Sequence, residues 1–131
     1  MKLRLTHNSI RIRVRKSELT ALAENRSIEE TVKFPNNSEV FTYALVIDSE
    51  KNEISAEMIG FDLRVMIPIK IAKEWINTNE VGIESHIDLV DEDKLHLLID
   101  KDFPCLDRPT ENKSDTFWEL ASDNSENQDT C

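Results

Sequence analysis

The chain has 131 residues, 39% of them hydrophobic, and a formal net charge of −10. That length supports one core rather than two, and no apolar run approaches the ~20 residues needed to span a bilayer. The N-terminal residues MKLRLTHNS are charged and strand-like and lack the apolar stretch of a secretory signal, so a cytoplasmic location and no membrane partner are expected.

In chain order, Lys2–Thr6 (KLRLT) and Ser9–Arg15 (SIRIRVR) both alternate strictly and predict two strands. A two-residue turn at His7-Asn8 gives partner numbers that sum to 15, which pairs Leu5 with Ile10 and Leu3 with Ile12. SELTALAEN then predicts a short helix with Ser17 as N-cap and Leu19, Leu22 and Ala23 on its apolar stripe. Strands follow over Ile28–Phe34 and Val40–Ile47. Glu53–Met58 and Phe61–Ile67 form the next hairpin, turning at Ile59-Gly60 with a register sum of 119. That register sets Met58 against Phe61 and Glu57 against Asp62. After Pro68, IKIAKEWIN predicts a second helix with Ala72, Trp75 and Ile76 on one stripe. Val81–Asp88 and Lys94–Asp100 complete the pattern, and matching their apolar faces gives a register sum of 182, with Ile87 opposite Leu95 and His86 opposite His96.

The order is ββαββ twice. A shift of 53 positions carries Ile10, Ile12 and Val14 onto Leu63, Val65 and Ile67, and Leu22 onto Trp75. The expected fold class is therefore α+β, with pseudo-repeats 1–50 and 51–100 in one domain over 1–109. Eight antiparallel strands would form a barrel or a strongly curved sheet carrying two helices. Residues 101–131 hold eight acids against Lys101, Arg108 and Lys113, half of the total charge. From 110 to 131 the composition is that of a flexible acidic tail, with Phe117-Trp118 as one docking point.

The arginines of the first hairpin raise the functional question. A register sum of 15 puts Arg4 opposite Arg11 and Lys2 opposite Arg13, like charges that cost up to ~1 kcal/mol unless compensated. One compensation is an ion-pair network with the acidic Glu57/Asp62 patch of the second hairpin, the polar faces meeting inside a barrel. The other is an anion held by converging guanidinium forks, with Arg4, Arg11, Arg13, Arg15 and Arg64 as candidate residues. No aromatic residue stands between these arginines to stack a base, so nucleic acid is not an expected partner.

Other chemistry is sparse. His86, His96 and Glu84 could approach a divalent ion, but no HExxH-like spacing supports one, and no metal or other cofactor is expected. Cys105 and Cys131 have no metal-site spacing and read as reduced thiols; Cys105 lies in an apolar setting that favours an inert one. With no GxSxG motif and two glycines in all, neither a nucleophile elbow nor a phosphate-cradling loop can be drawn.

Two segments carry a family resemblance. KLRLTHNSIRIRVRKSEL and LLIDKDFPCLDRPTENKSD resemble a small family of uncharacterised bacterial proteins, with a K-x-R-x-x-x-N-S-x-R-x-R opening and a K-D-F-x-C-L-D segment before an acidic tail. The resemblance implies a domain of unknown function and no activity. Where such tails close on Asn-Pro, this chain runs on as FWELASDNSENQDTC. The βαβββ order is also similar to that of triphosphate-tunnel enzymes, although KLRLT stands where their ExExK signature would be.

The resulting expectation is a small binding domain that takes an anionic small molecule or an acidic protein partner through the arginine face. The alternatives are a metal-dependent phosphohydrolase using Arg11, Arg13 and Arg64 with Glu57, Asp62 or Glu84, and a non-catalytic interaction module.

Overall fold

A computed structural model describes residues 1–35, 39–102 and 120. The described chain runs β1 (Lys2–Thr6), β2 (Ser9–Val14), α1 (Lys16–Asn25), β3 (Ser27–Lys33), β4 (Val40–Asp48), β5 (Ser55–Ile59), β6 (Asp62–Pro68), α2 (Ile69–Asn77), β7 (Gly82–Asp88) and β8 (Lys94–Lys101). The ββαββ order therefore occurs twice, in an α+β fold. The acidic tail, with Phe117, Trp118 and Cys131, lies outside the described residues apart from Leu120, as does Cys105. No helix among the described residues is long and apolar enough to cross a membrane.

The strands form two four-stranded sheets, β1-β2-β8-β7 (sheet A) and β5-β6-β4-β3 (sheet B). This corrects the expected antiparallel barrel in two ways. The sheets do not close on each other, and the central pair of each, β2–β8 and β4–β6, is parallel. Each sheet joins the first hairpin of one half to the second hairpin of the other, so neither half owns a sheet. The reason is burial: Ile12 and Val14 from the first half and Leu97 and Ile99 from the second supply one continuous inner face, while Leu45 joins Val65 and Ile67 on the facing one. Leu22 of α1 and Ala72 and Trp75 of α2 enter that same core, and the repeat-equivalent pair Leu22 and Trp75 is fully buried. Trp75 Nε1 donates to the Val81 carbonyl at 3.1 Å, which satisfies its one polar atom in the core.

The first hairpin pairs as the alternation predicts, Leu5 with Ile10 and Leu3 with Ile12. The last does too, with Ile87 opposite Leu95 and His86 opposite His96. The β5–β6 hairpin does not: Ile59 pairs with Asp62 and Met58 with Leu63, a sum of 121. Its turn is Gly60-Phe61, with Gly60 at φ 60°, a left-handed conformation that glycine adopts without strain. Asn8 takes φ 49° in the equivalent turn.

Helix α1 starts two residues earlier than a Ser17 cap would allow. Arg15 is the N-cap, and Glu18, three residues on, accepts from the Arg15 backbone N–H at 3.0 Å and from Arg15 Nε at 3.2 Å. Glu18 also receives the N-terminal ammonium of Met1. A carboxylate at that third position reaches back to the backbone N–H of the N-cap residue, the reciprocal half of a capping box.

Candidate functional site

Alternation sends every second side chain of sheet A away from the core. Strand register then assembles rows across β1, β2, β8 and β7: Lys2, Arg13, Asp100 and Gly82; Arg4, Arg11, Leu98 and Glu84; Thr6, Ser9, His96 and His86. The arginines do line one face, as the alternation demands. The parallel β2–β8 pairing brings Asp100 beside Arg13, a neighbour nearly ninety residues away in sequence.

At this end the side chains form an ion-pair cluster. Arg11 Nη2 donates to Asp100 Oδ2 at 2.7 Å, and Arg13 Nε stands 3.9 Å from Asp100 Oδ1. Arg13 Nη2 lies 3.6 Å from Asp102 Oδ1, and Lys2 Nζ is 3.2 Å from Asp102 Oδ2. Arg13 and Asp100 are buried, with side-chain exposures of 10% and 7%. Burying two charges is costly unless they are paired, and the attraction rises in the same low-dielectric surroundings that make solvation poor. Asp100 and Asp102 thus provide the compensation that the Lys2–Arg13 and Arg4–Arg11 juxtapositions require, and they come from the end of β8 and the residue just past it rather than from the β5–β6 hairpin. Arg11 Nε and Asp100 Oδ1 are buried and have no hydrogen-bond partner.

The remaining candidate arginines separate. Arg15 turns to Glu18 at the start of α1. Arg64 lies on sheet B, directly across from Glu57. The second hairpin therefore presents opposite charges facing each other, where a sum of 119 would have set Glu57 against Asp62. Glu57 and Asp62 share one face of sheet B while Glu84 stands on sheet A, so the three carboxylates proposed for a tunnel-type metal site are not on one sheet.

The other end of the sheet A face carries the histidines. Their rings stack with centroids 4.6 Å apart and planes 15° from parallel. Glu84 Oε2 accepts from His96 Nε2 at 2.7 Å, which leaves Nδ1 facing Ser9 Oγ at 3.3 Å. Serine, imidazole and carboxylate thus stand in line at 3.3 and 2.7 Å. Among the described residues, no three His, Cys, Asp or Glu side chains are grouped to hold a metal ion.

Sequence reasoning missed Asp100 and Asp102. Both are visible as acids at the end of a strand, but only the β2–β8 pairing makes them partners of the arginines. The model of a family of unknown function (DUF7009) matches residues 1–120, and the chain belongs to that family. No curated protein and no solved structure matches it.

Proposed function

Membership in a family without a known activity leaves the site to speak, and we propose that the protein is a non-catalytic binding module for a phosphate- or carboxylate-bearing ligand or an acidic partner. Arg4 and Arg11 make the contact, while Arg13 is fixed between Asp100 and Asp102 as its support. Arg15 and Arg64 stand apart from this contact. The carrying observation is at Arg11: it faces Arg4 across the hairpin, spends Nη2 on Asp100, and keeps Nε buried without an acceptor. An anionic oxygen arriving between the two guanidinium groups would relieve their repulsion.

The test is a thermal-shift titration of the full chain with tripolyphosphate and with an acidic peptide. A ligand at 100 times its Kd stabilises by about 2.7 kcal/mol. Arg4→Ala, at an exposed position, should fold normally and lose the shift. Arg11→Ala is a poorer test, because it strips buried Asp100 of its closest counter-charge. A shift unchanged in Arg4→Ala, or no shift with either ligand, overturns the reading. Metal-dependent release of phosphate would favour the phosphohydrolase instead.

A further inference from the structure

A second cationic feature lies away from sheet A, between the two helices. Ala23 of α1 and Ile76 of α2, equivalent under the 53-residue shift, line one cleft of about 210 Å³ together with Ile47, Ile69 and Ala72. Its polar lining is Arg26, Lys73 and Asn77. Arg26 and Lys73 form no ion pair with a described residue, whereas Arg11, Arg13 and Arg15 all do. The cleft thus sets two cations over an apolar floor.

The backbone of Arg26 supplies an independent observation. It caps α1 in the left-handed conformation, φ 65° and ψ 1°, a position glycine occupies by preference. Its N–H donates to the Leu22 carbonyl and its own carbonyl accepts from Ile47, both at 2.8 Å, so glycine would keep every backbone bond. A side chain carried at a strained position points to use of that side chain.

We propose that this cleft binds a small amphiphilic monocarboxylate. The ring or short chain would rest on Ile47, Ile69 and Ile76, and the carboxylate would lie between the Arg26 guanidinium and the Lys73 ammonium. A volume of about 210 Å³ is below the ~300 Å³ floor of drug-sized sites, which limits the ligand to one ring or a short chain. The ligand is anchored by charge-assisted hydrogen bonds and selected by the apolar floor. The site is separate from the arginine face of sheet A and stands whether or not tripolyphosphate binds there.

Phenylacetate is the probe, titrated into the ¹⁵N-labelled full chain and followed by amide chemical shifts. Saturable shifts at Ala23, Ile47, Ile69 and Ile76 are expected, and neutral phenylacetamide should bind about tenfold more weakly. Arg26→Gly separates a ligand role from a helix-end role: it should fold with undiminished stability and lose phenylacetate binding. Lys73→Ala, at an exposed helical position, should weaken binding and keep the fold. Non-saturating shifts, equal binding of acid and amide, or undiminished binding in Arg26→Gly would each overturn the proposal.

Discussion

Sheets A and B place repeat-equivalent strands in the same order, yet the row that holds Arg13 beside Asp100 in sheet A holds Met66 beside Val46 in sheet B. One sheet buries an ion pair where the other packs hydrocarbon. A neighbouring row differs again: Arg4 faces Arg11 in sheet A, and Glu57 faces Arg64 in sheet B. The core face tolerates little such freedom, since the inward residues Ile12, Val14, Val65 and Ile67 are all aliphatic and buried. The shared topology thus needs an apolar inner face and accepts either solution on the outer one. Burying ions that hydrocarbon could replace usually brings no stability, so the cluster in sheet A is better understood as support for Arg4 and Arg11 than as a requirement of the fold.

The largest effect is expected at that cluster. Asp100→Val alone should cost about 3–5 kcal/mol in urea denaturation, because Arg11 and Arg13 lose their buried counter-charge. Adding Arg13→Met, which copies the row of sheet B, should recover stability to within about 1 kcal/mol of the parent protein. A double variant as unstable as the single one would break the equivalence of the two rows.

Next in size is Glu18→Gln, at about 1–2 kcal/mol, since the Arg15–Glu18 cap has no counterpart at Pro68, the N-cap of α2. Burial pushes the Glu18 carboxyl up, but hydrogen bonds from the N-terminal ammonium and from Arg15 outweigh it and hold the group below its ordinary value of 4.5. A depressed folded pKa stabilises above the unfolded value. The difference between parent and variant should therefore be complete above about pH 5 and shrink as pH falls through the lowered value. A difference that grows in acid would reverse this assignment.

Gly60→Ala should cost about 1 kcal/mol from backbone strain alone, as an added Cβ meets no atom within 4 Å. Smallest is Glu57→Arg, which recreates the Arg4–Arg11 confrontation on sheet B and should cost under about 1 kcal/mol. If tripolyphosphate then shifted the melting of this variant more than that of the parent, an arginine pair without buried acids would suffice for binding.

The two hairpin registers read correctly share a cause. Within a hairpin the alternation and the turn lie in one short stretch, so matching apolar faces selects the partner, as with Leu5 and Ile10 or Ile87 and Leu95. The same logic failed at β5–β6 because sums of 119 and 121 both match apolar faces, and only the turn decides. The repeat held the missing information, since a 53-residue shift of the His7-Asn8 turn lands on Gly60-Phe61. The arginine face was legible as a face, but its carboxylate partners were not, because Asp100 and Asp102 stand at the end of a different hairpin. The Arg26–Lys73 cleft was likewise invisible, as neither residue stands out in an alternating or helical pattern.

Sequence alone determined what is local and periodic: ten elements in order, the ββαββ order occurring twice, which residues face inward, and the arginines sharing one side of a strand pair. Tertiary structure alone decided how hairpins join. Parallel pairing of β2 with β8 and of β4 with β6 exchanges hairpins between the halves, because inner faces drawn from both halves together bury a core that neither half could close by itself. Backbone hydrogen bonding carries no side-chain code for such a partner. The charges that neutralise Arg11 and Arg13 arrive only with that long-range pairing.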